Sequence, residues 1–98
     1  MSQETRIISE IRAARSALGW SQPELAKKSG VSLIAIARLE AGLACPRLST
    51  VSKLQEALSS AGVRILDDQP EGGYTLAVIS EAVQESERQM AKRKEAKD

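Results

Sequence analysis

Histidine is absent from this chain, and cysteine occurs once, as Cys45. Those two facts remove most side-chain catalysis. No His-based general acid or base, no Ser–His or Cys–His nucleophile pair and no zinc site built on His or several Cys can be assembled. A single thiol makes no internal disulfide. Cys45 precedes Pro46, with Arg47 the one cation beside it, whereas a redox-sensing thiol needs a denser positive setting. Trp20 and Tyr74 are the two aromatic residues, too few to stack single-stranded bases. The expectation is a protein without catalysis, metal or cofactor. What remains is recognition chemistry: amides, hydroxyls and cations that can contact a partner.

Two stretches carry such groups. In Ser21-Gln22-Pro23-Glu24, Ser21 can cap the amide of Glu24 while Glu24 reaches back to the amide of Ser21, a reciprocal pattern that starts a helix. Pro23 fits the first turn, where its missing N–H is no loss. Gln22 then sits at the positive end of a helix and can donate its amide to a phosphate; the alternative is an exposed amide without a partner. Ser32 is a second capping residue, and the exposed turns after it hold Leu33, Ile34 and Arg38, with Ala35 and Ala37 between. Ser32, Leu33, Ile34 and Arg38 are the candidate base readers. Leu33 and Ile34 can press on thymine methyl groups, or serve a protein partner or a neighbouring loop. Arg38 can reach guanine or a phosphate, or stay solvated. Lys27 and Lys28 are further phosphate candidates, but helix neighbours diverge by about 100° and cannot both face one surface.

Charge is uneven along the chain. Residues 1–66 carry nine Lys/Arg against five Glu, a net +4, and residues 67–98 carry five against eight, a net −3, which together give +1. A basic front suits a polyanion; an ordinary mixed surface is the alternative.

Periodicity supplies the elements that must position these groups. Ile7, Ile8, Ile11, Ala14 and Leu18 predict a helix over 4–18, closed by Gly19. A second helix runs from Gln22 to about Ser29, burying Leu25 and Ala26. Gly30 permits the left-handed turn that follows. A third helix runs from Leu33 to about Ala41 with Ile36 and Leu39 inward, and Gly42 stops it. After a loop over 43–48, Ser49 or Thr50 starts a helix to about Ser60, with Val51, Leu54, Ala57 and Leu58 on its apolar face. Ala26, Gly30 and Ile36 have the spacing of two short helices crossing through a tight turn.

Taken together, Leu18-Gly19-Trp20-Ser21-Gln22, Glu24-Leu25-Ala26, Ser29-Gly30-Val31-Ser32, Ile36, Leu39-Glu40-Ala41-Gly42 and Pro46-Arg47 resemble the phage-repressor and Cro-like helix-turn-helix domains, the XRE family, over about residues 7–61. The resemblance implies a mainly α fold with a five-helix domain that binds duplex DNA as a transcriptional regulator, commonly as a dimer. It implies a phosphate contact for Gln22, a backbone or minor-groove contact for Arg47, and a structural ion pair between Arg15 and Glu40. One departure stands out: reader positions that hold amides or cations in many relatives hold Leu33 and Ile34 here. Trp20, at the first corner, is expected to pack in the core with its indole edge exposed.

Beyond residue 62 the pattern changes. Val63-Arg64-Ile65-Leu66 and Tyr74–Ile79 flank the turn cluster Asp67–Gly73 and predict a β-hairpin over 63–79. A lone hairpin is marginal in water, so Val63, Ile65, Tyr74, Leu76 and Val78 need cover from the chain's own helices or from a twin. The twin is the preferred expectation, making these five the dimerisation residues. A dimer would also raise avidity for a site that few phosphate contacts hold. Residues 80–98 predict a charged helical or disordered tail. The expected division is therefore a DNA-binding domain over 1–62, a dimerisation element over 63–79 and the tail.

No apolar run approaches the roughly 20 residues that span a bilayer, and Met1-Ser2-Gln3-Glu4 has no signal pattern. A cytoplasmic protein is expected, away from membranes, with double-stranded DNA and a second copy as partners. The rival expectation is an antitoxin or other interaction module that grips a toxin or another protein through the hairpin or tail, with DNA binding secondary.

Overall fold

The computed structural model describes residues 2–97. Four helices, α1 (Gln3–Ala17), α2 (Gln22–Ser29), α3 (Leu33–Glu40) and α4 (Leu48–Ser60), lead into an antiparallel hairpin of β1 (Val63–Asp67) and β2 (Tyr74–Val78), and α5 (Ser80–Lys97) follows. The fold is mainly α, with four helices ahead of the hairpin and a fifth behind it. Met1 and Asp98, the outer ends of the first and last expected segments, lie outside the described residues.

Local chemistry sets the helix boundaries. Ser21 Oγ accepts from the Glu24 amide at 3.3 Å, and Glu24 Oε1 accepts from the Ser21 amide at 3.0 Å, so two otherwise unpaired N–H groups at the start of α2 are satisfied. At Gly30 the backbone has φ 77°, and a Cβ there would meet nothing within 4 Å. Conformation, not crowding, therefore requires glycine between α2 and α3. Ser32 caps α3 by accepting from the Ala35 amide at 3.1 Å. The fourth helix begins earlier than expected. Arg47 occupies its N-cap position without a side-chain bond, because the Arg47 carbonyl already accepts from the Val51 amide at 2.9 Å and starts the ladder at Leu48, ahead of Ser49 and Thr50.

Every element except α5's outer face contributes to one core. Ile11, Ala14 and Leu18 meet Leu25, Ile36, Leu39, Leu54 and Leu58, and Val63 and Ala82 extend the cluster into the hairpin and α5. The strand register pairs Val63 with Val78, Ile65 with Leu76 and Asp67 with Tyr74, so these residues share one face of the sheet. Val63 is fully buried, Ile65 and Leu76 pack against the helical core, and the Tyr74 hydroxyl lies 2.6 Å from Ser9 Oγ on α1. This corrects the expectation of a twin covering them. Alternation turns Val63, Ile65, Tyr74 and Leu76 towards the chain's own α1 and α4, and Val78 alone of the five remains exposed.

A buried charge sits in this seam. Glu10 on α1 is only 1% exposed, and its Oε1 has no hydrogen-bond partner. Arg6 stands 4.0 Å from it but gives its Nε to Asp67 at 2.8 Å. Burial, together with hydrogen bonding to Asp67, pushes the Glu10 carboxyl up to about 7.

The expected tail is a helix docked on the rest of the chain as far as Arg93. Ala82 is fully buried and Gln89 nearly so. The chain enters α5 over Gly62, where a Cβ would lie 2.6 Å from Ile79 Cγ1 and 3.2 Å from Ala82 Cβ, at φ 102°. Both space and conformation demand glycine there. Trp20 Nε1 donates to Glu85 Oε2 at 2.8 Å, Gln89 Nε2 donates to the same oxygen at 3.1 Å, and Arg93 donates to the Gly19 carbonyl. The indole bond, then Arg88 and Gln89, hold the Glu85 carboxyl down at about 2. The Trp20 indole edge, expected at the surface, is thus covered by α5, and the residue is 4% exposed. Ala82, Glu85, Gln89 and Arg93 recur at helical spacing, but a small and polar stripe carries little of the apolar signal that marks a buried face.

Candidate nucleic-acid interface

The site is built around the crossing of α2 and α3. Glu40, at the last turn of α3, accepts from Arg15 Nε and Nη2, both at 2.9 Å. Arg15 Nη1 also donates to the Trp20 carbonyl at 2.7 Å. This bidentate pair lies where the resemblance implied it and fixes α1 against α3. Gln22 joins the same carboxylate, its Nε2 donating to Glu40 Oε1 at 3.1 Å. That link has no signature in the spacing of the sequence. A side-chain amide has two N–H groups, and Glu40 engages one of them at the start of α2. The amide is thereby oriented instead of waving in solvent.

The N-terminal half of α3 is open. Leu33 is 43% exposed and Ile34 73%. Ser32 and Arg38 are exposed too, while Ile36 and Leu39 point into the core. Beside this face runs a cleft of about 340 Å³ whose lining includes Ser32, Ile34, Arg38, Cys45, Arg47 and Thr50. The cleft brings together three of the four candidate readers and Arg47; Leu33 is exposed beside them on the same helix. Thr50 and the loop wall at Ala44 and Pro46 were not among the sequence candidates, since loop packing depends on contacts remote in sequence.

Other candidates fall elsewhere. Lys28 does not line this cleft: its Nζ stands 6.0 Å from the centre of the Trp20 ring, and it borders a separate cleft of about 420 Å³ with Lys53 and Glu56. Lys27 is exposed on α2. Cys45 is exposed and its thiol points to Glu4 Oε1 at 3.3 Å; that bond and the negative charge behind it raise its pKa and favour the unreactive thiol.

A helix-turn-helix family model matches residues 11–60, just over half of the chain. This chain belongs to the helix-turn-helix family. No curated protein and no solved structure matches it. The matched span runs from within α1 to the last residue of α4, so the helix-turn-helix DNA-binding module holds Arg15, Gln22, the α3 face, Glu40 and Arg47. The hairpin and α5 lie outside it. Among the described residues no cluster of His, Cys, Asp or Glu could hold a metal ion, and no helix is long and apolar enough to cross a membrane.

Proposed function

We propose that this helix-turn-helix protein is a sequence-specific transcriptional regulator of the repressor type that lays α3 in the major groove of duplex DNA and acts as a dimer in the cytoplasm. One observation carries the reading. The first turn of α3, with Leu33 and Ile34 exposed, is left open by the other described residues and adjoins a cleft flanked by Arg38 and Arg47. Gln22 and Arg47 contact phosphates, with Lys27 a lesser contributor and Lys28 the least, given its position by Trp20. Ser32, Leu33, Ile34 and Arg38 face the bases.

In this reading residues 1–62 form the DNA-binding domain, and the elements after it join two copies. Because the inner face of the hairpin is occupied, the second copy meets Val78, Ile79, Val83 and Met90, all exposed apolar side chains. Val83 and Met90 are two turns apart on one flank of α5, and Ile79 stands just ahead of the helix. Two copies reading one face of DNA need their α3 helices about 34 Å apart.

Titration of fluorescent duplex pools at two salt concentrations tests the proposal. Binding that weakens steeply with salt is expected, with selected sequences preferred over random ones. Gln22→Ala and Arg47→Ala should each weaken all duplexes alike, and Arg47→Ala, which removes a charge, should also flatten the salt slope by about one. Absence of duplex binding at low salt, together with capture of a protein partner through α5, would instead favour the antitoxin reading.

A further inference from the structure

We infer that α3 discriminates bases through their 5-methyl groups, so that this protein recognises thymine by its methyl and takes 5-methylcytosine in the same way. The inference rests on the proposed docking of α3 in the major groove and adds the chemical class that is read there. From Ser32 to Ala37 the helix offers no amide, carboxylate or cation. The Ser32 oxygen is engaged as the cap of α3, accepting from the Ala35 amide at 3.1 Å. What projects is Leu33 and, more fully, Ile34, and Ile34 borders a cleft whose wall includes Ala35, Ala44 and Pro46.

Major-groove hydrogen-bond readout needs paired donors and acceptors at the tip of the helix. An isobutyl and a sec-butyl group cannot supply them, and pressed on a polar base edge they would strip water from it without replacing the lost bonds. The apolar feature that a base pair presents in that groove is the pyrimidine 5-methyl. Burying a methyl against Ile34 removes apolar surface on both sides, and each such contact is expected to change affinity about fourfold. Arg38, one turn beyond Ile34, and Arg47 across the cleft supply the charge that holds the helix down. Cytosine methylated at carbon 5 carries the same group at the same ring position.

The test uses the full-length protein and the tightest duplex recovered by selection from a random pool. Each thymine is replaced in turn by deoxyuridine, which removes the methyl and nothing else. Affinity should fall about fourfold at each contacted thymine, with no change in salt slope because no phosphate contact is lost. Replacing a contacted T·A pair by C·G should weaken binding, and 5-methylation of that cytosine should restore part of the loss. In the double variant Leu33→Ala with Ile34→Ala, both at exposed positions, thymine and uracil should become equivalent. Equal affinity of wild-type protein for thymine and uracil duplexes would overturn the inference while leaving duplex binding intact. Methyl discrimination that persists in the double Ala variant would overturn it too, and failure to bind any duplex would remove it together with the proposed function.

Discussion

Among the described residues two carboxylates are almost withdrawn from water, and the molecule treats them in opposite ways. Glu40 is 7% exposed and receives three donors, two from Arg15 at 2.9 Å and one from Gln22 at 3.1 Å. Glu10 is 1% exposed, has one oxygen without a partner, and sees Arg6 turned towards Asp67. The first joins α1, α2 and α3, the frame of the DNA-binding module. The second lies in the seam between α1 and the hairpin. A fully bonded buried charge fixes geometry, whereas a buried carboxyl short of donors is tolerated best when it holds its proton. The module is therefore rigidly specified, and its attachment to the hairpin is expected to depend on pH.

The strongest test removes Arg15. Arg15→Ala leaves Glu40 buried with Gln22 as its remaining donor, and breaking such a pair from one side costs about 3–5 kcal/mol. Urea denaturation of the variant measures that loss. Gln22 also loses a fixed acceptor geometry as Glu40 shifts, so duplex affinity should drop even in variant protein that remains folded. A loss below about 1 kcal/mol would class this pair with exposed ion pairs and erase the contrast with Glu10.

A pH titration sharpens the other side. The folded-state Glu10 carboxyl titrates at about 7 against an ordinary 4.5, so the native protein binds more protons than the unfolded chain between those values. Stability should be complete below about 4.5 and decline as pH rises through about 7. The charged neighbours are Arg6 from α1 and Asp67 and Asp68 from the hairpin, with the Tyr74 hydroxyl nearby on Ser9. Asp67 shifts the opposite way, held down by Glu10 and Arg6, and its contribution is present above the ordinary 3.8 and lost as pH falls below it, outside the Glu10 window. Glu10→Gln keeps a donor for Asp67 without a charge. It should raise stability above neutral pH by about 1–3 kcal/mol and flatten the thermal-denaturation profile; a flat wild-type profile in the window would contradict the assignment.

The same contrast explains what the sequence made legible. Ser21, Pro23, Glu24, Gly30 and Ser32 act on backbone groups within four residues, so their identities alone announce α2, the turn and α3. The Arg15–Glu40 pair came through resemblance, and its geometry agrees. The hairpin, too, was visible in its β-branched strands and in the turn at 67–73. Partners of the seams were not. Arg6 with Asp67, Ser9 with Tyr74 and Trp20 with Glu85 are each more than 60 residues apart. Glu10 carries one readable hint, because it lies on the face defined by Ile7, Ile11 and Ala14, yet a Glu four residues after an Arg reads first as a solvated helix pair. The exposure of Ser32, Leu33, Ile34 and Arg38 was legible because an exposed helix start needs no distant partner. The hairpin's inward face was not, because strand alternation says which residues share a face and leaves open what covers it.

The smallest expected effect concerns the docking of α5. Glu85 stands between the two extremes: it is partly exposed, yet it accepts from Trp20, Gln89 and Arg88. Its carboxyl, held down to about 2 from an ordinary 4.5, contributes stability that is present above the ordinary value and lost as pH falls towards about 2. Glu85→Gln keeps an acceptor for the indole but removes the charge, which is worth about 1 kcal/mol for a bond of this kind. The variant should lose that amount at neutral pH and change the Trp20 fluorescence, while duplex affinity stays within about twofold of wild type, since Gln22, α3 and Arg47 are all outside the contact. If Glu85→Gln weakened duplex binding as strongly as Arg15→Ala, the α1–α2 corner and α5 would form one cooperative unit with α3. The line between a fixed module and a conditional attachment would then have to be drawn at the hairpin alone.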